Sequence, residues 1–137
     1  VTHPARPDID RLLDAARNAS ANAYAPYSHF HVGAALLTRS GRVFTGVNVE
    51  NATYGATVCA ERNAVGAAAT AGEREIVACA VYVESDVLAT PCGICRQVLA
   101  ELGADAFVVC SNKNGDRIET TVRELLPMAF DGGHLRR

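Results

Sequence analysis

The chain has 137 residues, a formal net charge of −2, 49% hydrophobic and 20% charged residues, the makeup of one ordinary globular domain expected to span 1–137. So mild an acidity argues against a nucleic-acid or anionic-membrane partner, since both call for a basic stripe. Five cysteines at irregular spacing argue against a secreted disulfide framework, and with no membrane-length apolar run and no signal-peptide core, a cytoplasmic protein is expected.

In chain order, Ile9, Leu12, Leu13, Ala16 and Ala19 recur at helical spacing and predict a helix over 8–23, opened by Pro7 and Asp8. Pro26 and the Tyr27-Ser28 pair lead into a loop. Residues 32–38 and 42–47 read as strands of an antiparallel hairpin, turned at Ser40-Gly41. The polar, glycine-punctuated stretch 48–57 reads as a loop. A helix is predicted over 59–71, a strand over 76–83 and a helix over 92–102. Strands at 106–111 and 117–120 flank Asn114-Gly115 in a connection short enough for a hairpin. A last short helix over 121–126 stops at Pro127. This order predicts an α/β fold of three layers, α/β/α. Its five-stranded mixed sheet has an antiparallel first hairpin, a parallel crossover through the third helix and an antiparallel strand five.

Two cysteine motifs open the second and third helices: Cys59-Ala60-Glu61-Arg62 and Pro91-Cys92-Gly93-Ile94-Cys95-Arg96-Gln97. Structural zinc sites close with four protein ligands, whereas catalytic ones keep three and leave the fourth position to water. Cys59, Cys92 and Cys95, with the Glu61 carboxylate beside the first, therefore suggest one zinc per chain and a site built to activate water. A redox pair at Cys92 and Cys95 would leave Cys59 unexplained. A structural knuckle would lack its fourth ligand, because none of His3, His29, His31 and His134 stands at ligand spacing from a cysteine. Helix N-termini favour thiolates, so three anionic sulfurs are expected before metal arrives. Arg62 is the cation expected to bond those sulfurs, with Arg96 a weaker, more structural candidate. Glu61 is expected to carry protons as the general acid–base. Cys79 and Cys110, in apolar runs, are expected as inert core thiols.

The two cysteine motifs, in this order, resemble the small cytidine deaminases in their three-cysteine zinc form, and the resemblance runs from Tyr24 to Phe130. It implies zinc-dependent hydrolytic deamination of cytidine and deoxycytidine to uridine and deoxyuridine, with release of ammonia, in pyrimidine salvage. Asn48-Val49-Glu50-Asn51-Ala52 matches the family's ribose-binding strand, which implies that Asn48 and Glu50 hold sugar hydroxyls. Taken alone, that pair reads as a strand-end cap. The resemblance further implies that the Ala60 backbone amide meets the base carbonyl and that Phe30, in Tyr24–Gly33, packs on the pyrimidine. It also implies a homotetramer with shared sites, Phe130 entering a neighbour's pocket. Met128 departs from the glycine usual in that tail, and Asn63 from the usual small or β-branched residue. Separately from the resemblance, the small apolar run Ala64–Ala71 asks for cover on all sides, which another subunit would give. Two other readings remain. A deaminase of another aminopyrimidine nucleoside, such as a nucleoside antibiotic, is disfavoured by the retained Glu50. A non-catalytic zinc-binding interaction protein leaves Glu61 without purpose.

Overall fold

The computed structural model describes residues 6–136; His3 lies outside the described residues. Helix α1 (Arg6–Ser20) buries Ile9, Leu12, Leu13 and Ala16, the stripe its period predicts. It stops short of 23, where the Ser20 hydroxyl bonds back to the Arg17 carbonyl at 2.6 Å and the Asn22 and Ala23 amides bond carbonyls only three residues back. Strands β1 (Val32–Thr38) and β2 (Val43–Val47) form the expected hairpin, with Gly33 opposite Val47. Then follow α2 (Ala60–Thr70), β3 (Ile76–Val83), α3 (Gly93–Gly103), β4 (Phe107–Asn112), β5 (Arg117–Thr121) and α4 (Val122–Leu125). Two short 3-10 turns, Tyr54–Ala56 and Gly132–His134, are too brief to carry a period and escape a sequence reading.

The sheet runs β2-β1-β3-β4-β5. Strands β3 and β4 are parallel across α3, and β4 and β5 antiparallel across the short turn. Alternate residues of the central strands face two cores. Ala35, Leu37, Ala78, Ala80 and Tyr82 pack under α1; Ala34, Leu36, Cys79, Val81, Val108 and Cys110 pack under α2 and α3. Strands covered on both faces read as continuous apolar runs rather than alternating ones. Cys79 and Cys110 are fully buried, as the apolar runs around them predict.

Helix α2 lies unusually close to the sheet. Its inner positions are Ala60, Ala64 and Ala68, all fully buried, and the first two meet Gly46 of β2. A Cβ at Gly46 would stand 2.4 Å from the Ala64 amide nitrogen and 2.5 Å from the Ala60 carbonyl oxygen, so only glycine permits this approach. The outer face of α2 leaves Gly66, Ala67 and Thr70 exposed in the single chain.

Candidate active site

Cys59 and Cys92 are the N-cap residues of α2 and α3, and neither side chain bonds a helix amide. Their sulfurs face each other instead, 3.7 Å apart. Cys95, one turn into α3 and fully buried, places its sulfur 3.5 Å from that of Cys92. The three ligand atoms all lie within 4.8 Å of one another, and all three thiols are free. Tetrahedral bonds of about 2.3 Å set thiolate sulfurs about 3.8 Å apart, so this donor set fits zinc.

The thiols do not ionise alike. Hydrogen bonding to Cys95 draws Cys59 down to about 5 against the penalty of burial, with Arg62 and Cys92 helping. The same contact with Cys59, together with burial, pushes Cys95 well above the ordinary thiol range. At this spacing one thiolate opposes the next, so the bond between Cys59 and Cys95 moves the two in opposite directions. Arg62 lies beside Cys59. Its Nη2 donates to the Thr57 carbonyl at 3.2 Å and reaches the Cys59 sulfur at 3.9 Å. Its Nε is a buried donor with no hydrogen-bond partner.

Glu61, in the first turn of α2, is 5% exposed. Burial pushes its carboxyl up to about 7; the neighbouring Cys59 charge adds to the rise and Arg62 opposes it. A carboxyl poised there takes and returns protons at neutral pH. A cavity of about 180 Å³ gathers Phe30, Asn48, Cys59, Ala60, Glu61 and Cys92 against the apolar wall of Val32, Val81 and Val83. A larger hollow of about 440 Å³ lies at the far end of the sheet around Arg39, Glu75 and Asp105; no thiol lines it.

Asn48 and Glu50 do not line the same hollow. Asn48 lines the cavity, while Glu50 lines an adjoining cleft with Tyr27, Ser28, Asn51 and Tyr54, and Thr57 borders both. Both side chains hold the Tyr24–Gly33 segment. Asn48 Nδ2 donates to the Phe30 carbonyl at 2.7 Å, and Val32 N donates to Asn48 Oδ1 at 2.9 Å. Glu50 Oε1 accepts from the Tyr27 and Ser28 amides at 2.9 and 3.1 Å, and the Ser28 hydroxyl donates to Oε2. That hydroxyl bond, then the two amides, holds the Glu50 carboxyl below its usual range despite desolvation. Sequence reasoning gave Ser28 no role, because its chemistry exists only once Glu50 folds onto it.

Residues 7–111 match the family model described as the cytidine and deoxycytidylate deaminase zinc-binding region. The chain belongs to this deaminase family. A cytidine deaminase from Halalkalibacterium halodurans is 51% identical over 124 residues, 90% of this chain and 94% of the relative. The crystal structure of cytidine deaminase from Burkholderia pseudomallei superposes with a TM-score of 0.84 at 50% identity, covering 88% of this chain and 98% of that one. A blasticidin-S deaminase from Bacillus cereus is 34% identical over 108 residues, 73% of this chain and 76% of the relative. The family binds zinc, and the thiol cluster of this deaminase is positioned for that ion.

Other expected residues sit outside the cavity of this family member. Phe130 is 58% exposed and stacks on His134 with centroids 5.0 Å apart, while its carbonyl accepts from Gln97 Nε2 at 2.8 Å. It does not enter its own chain's site. Arg96 donates to the Pro91 carbonyl, the Leu125 carbonyl and the Thr90 hydroxyl at 2.7, 2.9 and 2.8 Å, the structural role expected of it. His29 is exposed and His31 half-buried.

Proposed function

We propose that this deaminase hydrolyses the C4–amino bond of cytidine and deoxycytidine, giving uridine or deoxyuridine and ammonia, with Cys59, Cys92 and Cys95 holding one zinc ion. The observation that carries this reading is the buried Glu61 carboxyl sharing one cavity with Cys59 and Cys92. When bound, zinc supplies Lewis acidity that brings a water's pKa near ~7. Glu61 accepts a proton from the attacking water and delivers it to N3 of the pyrimidine. It then carries a second proton to the departing amine, so one carboxyl serves both steps. A C4–O bond forms, the C4–N bond breaks, and ammonia leaves. Arg62 lowers the cost of negative charge on the sulfurs.

The Ala60 amide, at the first helical position and free of an intrahelical acceptor, is a donor for the base carbonyl. Phe30 packs on the ring. Asn48 and Glu50 bind sugar hydroxyls with the capacity their internal bonds leave over. A carboxylate offers about four acceptor sites, and Glu50 uses three on Tyr27 and Ser28. Among the described residues no Lys or Arg lines the cavity or the adjoining cleft, which favours a neutral nucleoside over a nucleotide.

The chain is one domain and assembles as a homotetramer with shared sites, Phe130 reaching a neighbour's pocket. The exposed Gly66 and Ala67 face of α2 and the exposed Met128, Phe130 and Leu135 support that assembly. No helix of the described residues is long and apolar enough to cross a membrane. A cytoplasmic role in pyrimidine salvage suits the substrate and keeps the thiols reduced.

Ammonia release from the zinc-loaded protein with cytidine, deoxycytidine, cytosine, CMP and blasticidin S tests the reading. The two nucleosides should be the good substrates. Release from blasticidin S alone would transfer the chain to antibiotic deamination, and release from none would leave a zinc-binding interaction protein.

A further inference from the structure

Hydrogen bonds hold Phe30 from both sides. The Phe30 amide donates to the Ser28 hydroxyl oxygen at 3.0 Å, and that hydroxyl donates to Glu50 Oε2. On its other side, the Phe30 carbonyl accepts from Asn48 Nδ2 at 2.7 Å. Both peptide groups flanking the Phe30 side chain are therefore held by the two side chains assigned to the sugar, Asn48 directly and Glu50 through Ser28. Between Ser28 and Phe30, His29 adopts a left-handed backbone, φ +58°. This conformation is rare for a residue with a side chain, and here it accompanies the close Phe30 amide–Ser28 contact.

We propose that Ser28 is a positioning residue that couples sugar recognition at Glu50 to base recognition at Phe30. The proposal rests on the nucleoside reading above. Ser28 is well placed for the task because its hydroxyl is donor and acceptor at once. Its proton goes to the carboxylate, which leaves its oxygen to accept from Phe30. Binding that orders one group lowers the cost of ordering the next, so a sugar hydroxyl that fixes the Glu50 carboxylate steadies Ser28 and, through it, the Phe30 backbone. The device makes a free base a poorer ligand than the sum of its own contacts, because nothing then engages the Glu50 end.

The test is steady-state kinetics on zinc-loaded protein with cytidine, comparing Ser28→Ala, Ser28→Thr, Phe30→Ala and the double variant Ser28→Ala/Phe30→Ala. Ser28→Ala should raise KM about three- to tenfold, the range of one lost hydrogen bond, with little change in kcat. Ser28→Thr keeps the hydroxyl and should recover most of the loss. The double variant should be no worse than Phe30→Ala alone, because residues acting through one another are non-additive. Additive losses, or a fall in Tm with KM unchanged, would overturn the coupling. If Phe30→Ala itself leaves KM unchanged, the assignment of Phe30 to the base fails instead, and the coupling with it. Should Ser28→Ala not fold, amide hydrogen exchange at Phe30 in the unmodified protein decides. Saturating uridine must slow it more than saturating uracil does, and equal slowing contradicts the coupling.

Discussion

Gly46 of β2 and Ala64 of α2 touch backbone to backbone, with no room for a Cβ between them. Helix α2 begins at the Cys59 cap and carries Glu61 in its first turn, so this contact sets the height of Cys59 and Glu61 above the sheet. Gly46→Ala should cost about 1–3 kcal/mol through overpacking and lower kcat/KM for cytidine as α2 is displaced. Thermal unfolding and kinetics check both, and an unchanged Tm would show that the helix yields freely.

Met128 occupies a left-handed backbone, φ +57°, with its side chain fully exposed. Left-handed backbone costs a residue with a Cβ roughly 1–2 kcal/mol, of which the extra chain entropy of glycine offsets about 0.5–1. Met128→Gly should therefore raise stability by about 0.5–1 kcal/mol in the dissociated chain. A lower Tm would mean that the methionine makes contacts in the assembly that outweigh its strain.

The sign of one pH effect follows from Glu50. Its folded carboxyl is held below the unfolded value of 4.5, first by Ser28. The stabilisation is thus fully present above pH 4.5 and is lost as pH falls through the depressed folded value. The Tm gap between the unmodified protein and Ser28→Ala should be open at pH 7 and narrow steadily below pH 4.5. A gap that widens on acidification would contradict the assignment.

Much of this was readable from residue pattern alone. Strands β1 and β3 have the bounds their apolar runs predict, and the Asn114-Gly115 turn predicts an antiparallel β5. The metal motifs are legible because Cys59 and Cys92 sit beside helix starts, where cap residues project. What stayed hidden is relational. Ser28 gains its role from Glu50, 22 positions away. The gathering of the Cys59, Cys92 and Cys95 ligand atoms within 4.8 Å of one another depends on the packing of two helix starts that no sequence interval encodes. Asn48 and Glu50 line adjoining but separate clefts, although only Val49, bridged to Tyr24 and Val58, lies between them.

Phe130 tests the assembly. Placed outside its own cavity and exposed, it should act in a neighbour's. Phe130→Ala should reduce cytidine turnover roughly three- to tenfold, about 0.5–1.5 kcal/mol of aromatic contact. Mixing it with Glu61→Gln chains after reversible dissociation should then raise activity above the average of the two separate pools. Hetero-oligomers confirmed by mass without such a gain would mean that each chain builds its site alone.

The central claim is that Glu61 moves the protons beside a zinc held by Cys59, Cys92 and Cys95. Glu61→Gln decides it, measured as zinc per chain by native mass spectrometry alongside ammonia release from cytidine. We predict one zinc per chain, as in the unmodified protein, with turnover reduced at least ~10²-fold, the lower end for loss of a general acid–base. Turnover near the unmodified rate in a zinc-loaded Glu61→Gln protein would contradict the account.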